Sequence, residues 1–232
     1  MKFAFRYWLT RLGAVLGKNQ IGNLKGLLRY LELGMLLDSM GYPVQPIRRS
    51  APSREALYDI IAQEVGAKGV LYQEFGVFEG EATKYWAKLL INPNAILHGF
   101  DSFEGLPEAW IESKRVTEKG YFSTGGTVPV IDDPRVCFFK GWFDQTLVTY
   151  EVPPHEVLVI NFDADLYSST KCVFDKMGPY VVPGTWLYFD EFNDPQHELR
   201  AFMEFISASP YRFELRGATA LLRQAIFKCV PM

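Results

Sequence analysis

Two apolar runs, each ending in a pair of carboxylates, constrain this chain more than any other feature. Val157-Leu158-Val159-Ile160 leads through Asn161-Phe162 into Asp163-Ala164-Asp165, and Trp186-Leu187-Tyr188-Phe189 leads into Asp190-Glu191. Short, continuous apolar runs of this kind read as strands covered on both faces. The segment between them holds one helix and little else, with Ser168 or Ser169 as its N-cap and Pro183-Gly184 as its terminator. Strand, helix, strand in that length is a parallel crossover, so both acidic ends emerge on one edge of the sheet. In open α/β sheets that edge is where ligands bind. Carboxylates gathered there repel one another unless a cation or a shared proton relieves them, and a hard divalent ion with oxygen ligands is the simplest expectation.

The same strand-end logic extends upstream. Gly69 to Phe75 reads as the first strand, and Gly76-Val77-Phe78-Glu79-Gly80 turns into a helix over Glu81 to Leu90. A glycine-bearing turn at a helix start lets the backbone approach a ligand and leaves N–H groups facing it. The dinucleotide fingerprint needs glycine where this chain has Phe78, because the pyrophosphate touches the backbone there. An acid at Glu74 followed by Gly76 and Gly80 suits instead a cofactor with a cationic, phosphate-free end, such as S-adenosylmethionine. Ala95 to Phe100 is the second strand, and Asp101 ends it at the distance where Rossmann-type folds place an acid on ribose hydroxyls. Val136 to Lys140 is the third strand; Trp142 just beyond it faces either an adenine ring or the core. Between these two strands, Glu104 to Pro134 is too long for a plain connection and reads as a lid. A helix from Ser53 (N-cap) to Gly66 precedes the first strand, another spans Glu198 to Ile206, and Tyr211 to Leu215 pairs with Ala225 to Lys228 around a turn near Gly217.

The 232 residues suffice for one substantial core with an appended segment. We divide them into an N-terminal helical extension and linker, 1–52, and a catalytic domain, 53–232. The extension mixes Phe3, Phe5, Tyr7, Trp8, Leu12 and Leu16 with Arg6 and Arg11, then resumes helical spacing over 24–40. That pattern fits a helix packed on its own domain, on a membrane surface or on a second copy, so a homo-oligomer through these helices stays open. A formal charge of −3 offers no basic face for phosphates, which argues against a nucleic-acid partner. Cys137, Cys172 and Cys229 lack metal-ligand spacing and read as free thiols. With no signal-peptide profile and no run near the roughly 20 apolar residues of a membrane span, a cytoplasmic protein is expected.

Read together and in order, the stretches Glu74 to Gly80, Phe100-Asp101-Ser102-Phe103-Glu104-Gly105-Leu106-Pro107, Lys140-Gly141-Trp142-Phe143, Asp163 to Thr170 and Asp190-Glu191-Phe192 carry a resemblance. Over most of residues 69–205 the chain resembles the macrocin O-methyltransferase family of metal-dependent, S-adenosylmethionine-dependent sugar O-methyltransferases. The resemblance implies a Rossmann-like class I methyltransferase fold: a mostly parallel seven-stranded sheet with an antiparallel C-terminal strand and helices on both faces. It implies cofactor contacts from Glu74, Gly76, Gly80 and Asp101, and the same strand-end turns add Val77, Phe78, Thr83, Ser102, Gly141, Trp142 and Phe143 as cofactor candidates. Asp163, Asp190 and Glu191 fall on the family's ligands for Mg2+ or Mn2+ and Asp165 on its general base; Tyr167 and His197 are expected near the sugar or glycoside acceptor, with His197 as the alternative base. Three departures stand out: Glu191 where a second Asp is usual, Ala164 for Gly, and Phe192 for Tyr. The longer Glu191 side chain shifts any metal geometry. A metal-independent small-molecule O-methyltransferase and a non-catalytic nucleoside-binding protein are the rival readings.

Overall fold

The computed structural model of the chain describes residues 50–111 and 115–232, together with Trp8, Leu12, Leu28, Leu31, Gly34, Met35 and Asp38. These residues belong to two compact units, one of residues 1–44 with 111–116 and one of residues 45–110 with 117–232. In the first unit the seven isolated positions are all helical, and Trp8, Leu28, Leu31 and Met35 stand more than half exposed. The remainder of the expected helices at 3–16 and 24–40 lies outside the described residues. The second unit carries the sheet and every candidate site residue.

Seven strands form that sheet: β1 (Val70–Phe75), β2 (Ile96–Asp101), β3 (Val136–Lys140), β4 (Val157–Phe162), β5 (Trp186–Phe189), β6 (Arg212–Ala218) and β7 (Ala225–Val230), in the order β3-β2-β1-β4-β5-β7-β6. Neighbours from β3 to β5 are parallel, and β7 lies antiparallel between β5 and β6. Every residue of β5 and all of β4 but Val157 are buried, which explains why these strands read as apolar runs without alternation; β1 is buried throughout as well, Gln73 and Glu74 included. Helices cover both faces. On one, α1 (Arg54–Val65) and α2 (Glu81–Leu89) place Leu57, Tyr58, Ile61 and Trp86 against Tyr72, Val159, Trp186 and Tyr188. On the other, α3 (Phe143–Thr149), α4 (Tyr167–Met177) and α5 (Glu198–Ala208) bring Phe143, Phe174 and Phe202 onto a phenylalanine layer of Phe75, Phe162, Phe189 and Phe227. Each such fully buried side chain contributes on the order of 1.5–3 kcal/mol.

Local chemistry agrees at α1, where Ser53 caps the helix by accepting from Ala56 N at 3.4 Å. It is overridden elsewhere. Leu166, not Ser168 or Ser169, stands at the N-cap of α4, and it makes no side-chain cap bond. Burial of Leu166 sets that boundary, and both serines lie in the first turn. The helix ends at Met177 in a 3-10 turn, before Pro183-Gly184 is reached. Gly217 is not at the hairpin turn but inside β6, at a register shift, where a Cβ would come 3.0 Å from Leu57 Cδ2. The turn itself is closed by Thr219 N donating to Gln224 O at 3.0 Å. Among the described residues no helix is long and apolar enough to cross a membrane, and the three cysteines are unpaired.

Candidate active site

The order of the sheet puts β1 and β4 side by side where the chain's winding reverses, and their carboxyl ends open the crevice where ligands settle in such folds. The turns beyond these ends are held together by the chain itself. Gly76, with φ of 94°, is needed because a Cβ there would stand 1.8 Å from the carbonyl oxygen of Asp163. At Gly80, with φ of 77°, a Cβ would meet Pro129 Cγ at 3.2 Å, so this glycine admits the later part of the expected lid. Between them, Val77 N and Phe78 N each donate to Asp101 Oδ2 at 2.8 Å, and Phe103 N donates to Oδ1 at 2.7 Å. Gly141 N donates to the Asp101 carbonyl at 2.9 Å, which gathers three strand-end turns on one residue. A carboxylate accepts about four hydrogen bonds, so Asp101 keeps room for one further donor.

Several predicted cofactor residues face inward. Glu74 is buried, and its Oε2 accepts from Thr83 Oγ1 at 2.6 Å and Tyr72 OH at 2.9 Å. Burial pushes its pKa up to about 7 against the lowering effect of those two hydroxyls. The Val77 side chain is buried, and Phe143 meets Phe75 edge-on at 5.5 Å in the core. Ser102 shapes the turn after β2 by accepting from Glu104 N at 3.1 Å. Trp142 is half-buried at the start of α3, and Phe78 is 39 % exposed, with its ring 5.8 Å from Phe122. Phe78, Phe103, Phe122 and Asp165 have φ of 52°, 59°, 67° and 57°. Non-glycine residues held in this left-handed region cost roughly 1–3 kcal/mol each and cluster at functional sites.

The acidic cluster has the composition expected from sequence and a different set of partners. Arg54, the first residue of α1, places Nη1 3.6 Å from Asp163 Oδ2 and 3.8 Å from Asp190 Oδ1. Asp190 also accepts from Tyr188 OH. Glu191 accepts from Arg223 Nη2 at 2.8 Å. Asp165, 8 % exposed, completes the group. Burial, then the charges of Asp190, Asp165 and Glu198, hold the Asp163 carboxyl well above the usual range, and Arg54 counters them. At 3.6 Å and an effective dielectric near 20, one Arg–Asp pair is worth on the order of 5 kcal/mol before desolvation is subtracted. The repulsion that suggested a metal is thus relieved in part by two arginines. Among the described residues no group of three or more His, Cys, Asp or Glu is placed to hold a metal ion.

Four participants escaped sequence reading: Arg54, Tyr58, Glu198 and Arg223. Glu198, the first residue of α5, is fully buried and links both acidic turns, its Oε2 accepting from Glu191 N at 3.0 Å and its Oε1 from Ala164 N at 3.4 Å. Burial, chiefly, raises its pKa well above the usual range. One signal was available for Arg54: a cation in the first turn opposes the helix dipole and so calls for a partner elsewhere. His197 precedes α5, half-buried, with Nδ1 accepting from Tyr167 N at 3.3 Å. Tyr167 donates its hydroxyl to Glu204 at 2.8 Å beneath the guanidinium of Arg200.

The strand order, the single antiparallel strand β7 and the crevice at the β1 and β4 ends define a class I methyltransferase fold. Similar solved structures agree: CalS11, calicheamicin methyltransferase, has a TM-score of 0.56 at 24 % identity, covering 88 % of this chain and 92 % of that one. The O-methyltransferase NovP has a TM-score of 0.57 at 20 % identity, covering 76 % and 79 %. Residues 126–212 match the macrocin-O-methyltransferase (TylF) family. It is also 30 % identical over 119 residues to 8-demethyl-8-(2,3-dimethoxy-alpha-L-rhamnosyl)-tetracenomycin-C 4'-O-methyltransferase of Streptomyces olivaceus, a match spanning 43 % of this chain and 45 % of that relative.

Proposed function

We propose that this chain is an S-adenosylmethionine-dependent O-methyltransferase acting on a hydroxyl of a sugar or glycoside. The observation that carries the reading is the convergence of Asp101, Asp163, Asp165 and Asp190 at the carboxyl ends of adjacent strands in a class I methyltransferase sheet. The rhamnosyl methyltransferase relative supports a sugar acceptor. The first turn suits the cofactor, since residues 74–80 present acids and aromatic rings and no basic side chain for a pyrophosphate. When bound, S-adenosylmethionine supplies an electrophilic methyl group. Asp101 offers its remaining acceptor site to a ribose hydroxyl. The start of α2, which has no side-chain cap, directs its dipole at the cofactor's carboxylate. Asp165 takes the proton of the acceptor hydroxyl as the oxygen–methyl bond forms and the methyl–sulfur bond breaks.

The expected divalent ion does not fit the residues as they stand. Glu191 is engaged by Arg223, and Arg54 lies within ion-pair distance of both Asp163 and Asp190. The reading is tested by incubating the protein with methyl-labelled S-adenosylmethionine and a panel of nucleotide sugars and glycosides, with products followed by mass spectrometry. Label should appear on an acceptor hydroxyl and form on the order of 10²-fold more slowly in Asp165→Asn. Binding of NAD in place of S-adenosylmethionine, or Asp101→Ala leaving cofactor affinity untouched, would overturn it.

A further inference from the structure

We propose that Arg54 is the resident counter-cation of the Asp163–Asp190 pair, a guanidinium delivered by α1 to the place where a divalent ion would otherwise bind. Two observations carry this. Arg54 Nη1 lies within ion-pair distance of both carboxylates, at 3.6 and 3.8 Å, and no other arginine or lysine among the described residues is paired with either. The guanidinium is half-buried, with a side chain 36 % exposed, so it is neither a surface pair that salt would screen nor a sealed core charge.

The neighbouring turn of α1 points the same way. Tyr58 stands four residues on, on the same helix face, and its ring lies 4.8 Å from that of Tyr188, whose hydroxyl donates to Asp190. Tyr58 is 1 % exposed, and its hydroxyl makes no hydrogen bond among the described residues. A buried hydroxyl in that condition calls for a bound partner such as a water or an acceptor hydroxyl. The first two turns of α1 therefore belong to the site wall, supplying a fixed positive charge and an unused polar atom. Since Asp163 and Asp190 have one cation to share, a divalent ion must displace Arg54 to reach them.

The proposal rests on the same acidic site as the methyltransferase reading, but its test does not need turnover. Mn2+ is titrated into the full chain and followed by electron paramagnetic resonance, for the wild type, Arg54→Gln, Arg54→Lys and the double variant Arg54→Gln/Asp163→Asn. Wild type and Arg54→Lys should bind Mn2+ at least tenfold more weakly than Arg54→Gln, and the double variant should lose the gained site. Wild-type binding as tight as that of Arg54→Gln overturns the proposal, as does a folded Arg54→Gln that gains no Mn2+ site. If Arg54→Gln does not fold, micromolar Mn2+ binding by the wild type alone overturns it, and its absence there, matched by Arg54→Lys, upholds it. Absence of methyl transfer to every acceptor, with the Mn2+ pattern intact, would remove the functional reading and leave this one standing.

Discussion

Replacing Glu74 by Gln isolates the charge at the end of β1. The Glu74 carboxyl is buried and titrates at about 7, against 4.5 for an ordinary glutamate. Between those values the folded chain keeps a proton that the unfolded chain has released, so stability falls as pH rises through this window and is level on either side. A gap of 2.5 pH units (7 − 4.5) at about 1.4 kcal/mol each amounts to about 3 kcal/mol, present in full below pH 4.5 and lost above pH 7. Thr83 and Tyr72 both donate to Oε2, so the amide oxygen of Gln can receive both while its NH2 takes the place of the protonated Oε1. Glu74→Gln is thus a non-titrating copy of the protonated site. Urea denaturation at pH 5 and at pH 8.5 should show near-equal stability at the lower pH and a variant up to about 3 kcal/mol more stable at the higher. The difference between the two proteins cancels the other titrating groups. Parallel stability curves would refute the reasoning, because they would mean that Glu74 is already ionised or solvated. Calorimetry with S-adenosylmethionine on the same pair reads the second role: an unchanged Kd leaves Glu74 beneath the turn only, and a weaker one at pH 8.5 gives it direct contact with the cofactor.

Asp165→Asn should lower kcat by on the order of 10²-fold with cofactor affinity retained, and asparagine tolerates the 57° φ, so backbone strain does not confuse the result. Equal kcat in variant and wild type would remove Asp165 as the base and bring His197 forward. Gly76→Ala places a Cβ 1.8 Å from the Asp163 carbonyl at a positive φ, and should cost more than about 4 kcal/mol in thermal or urea unfolding; a melting temperature near wild type would show that β4 yields. Glu198→Ala leaves the amides of Ala164 and Glu191 without their acceptor, so it should destabilise the chain by roughly 1–3 kcal/mol and speed hydrogen exchange at both amides together. Exchange that quickens at neither amide would show that the two acidic turns hold their shape without it.

The apolar runs of β4 and β5, the glycines at 76 and 80, and acids at the strand ends were legible in the sequence because a parallel strand covered on both faces leaves a continuous apolar signature. The right-handed crossover then puts successive strand ends on one edge, which needs only connection lengths. Periodicity could not show where side chains would turn once that edge formed. Gly76 and Gly80 looked like openings for a ligand, and the fold uses them to admit Asp163 and Pro129. The serines at 168 and 169 looked like caps, and the burial of Leu166 set the boundary instead. The acids of β4 and β5 looked as if they lacked a cation, because Arg54 lies more than a hundred residues upstream in sequence and Arg223 sits in the turn that ends β6. Local pattern decides which residues form strands and which strand ends carry charge. Only the tertiary structure decides which opposite charge meets it, since Coulomb attraction acts through space and a helix start far along the chain can be the nearest neighbour.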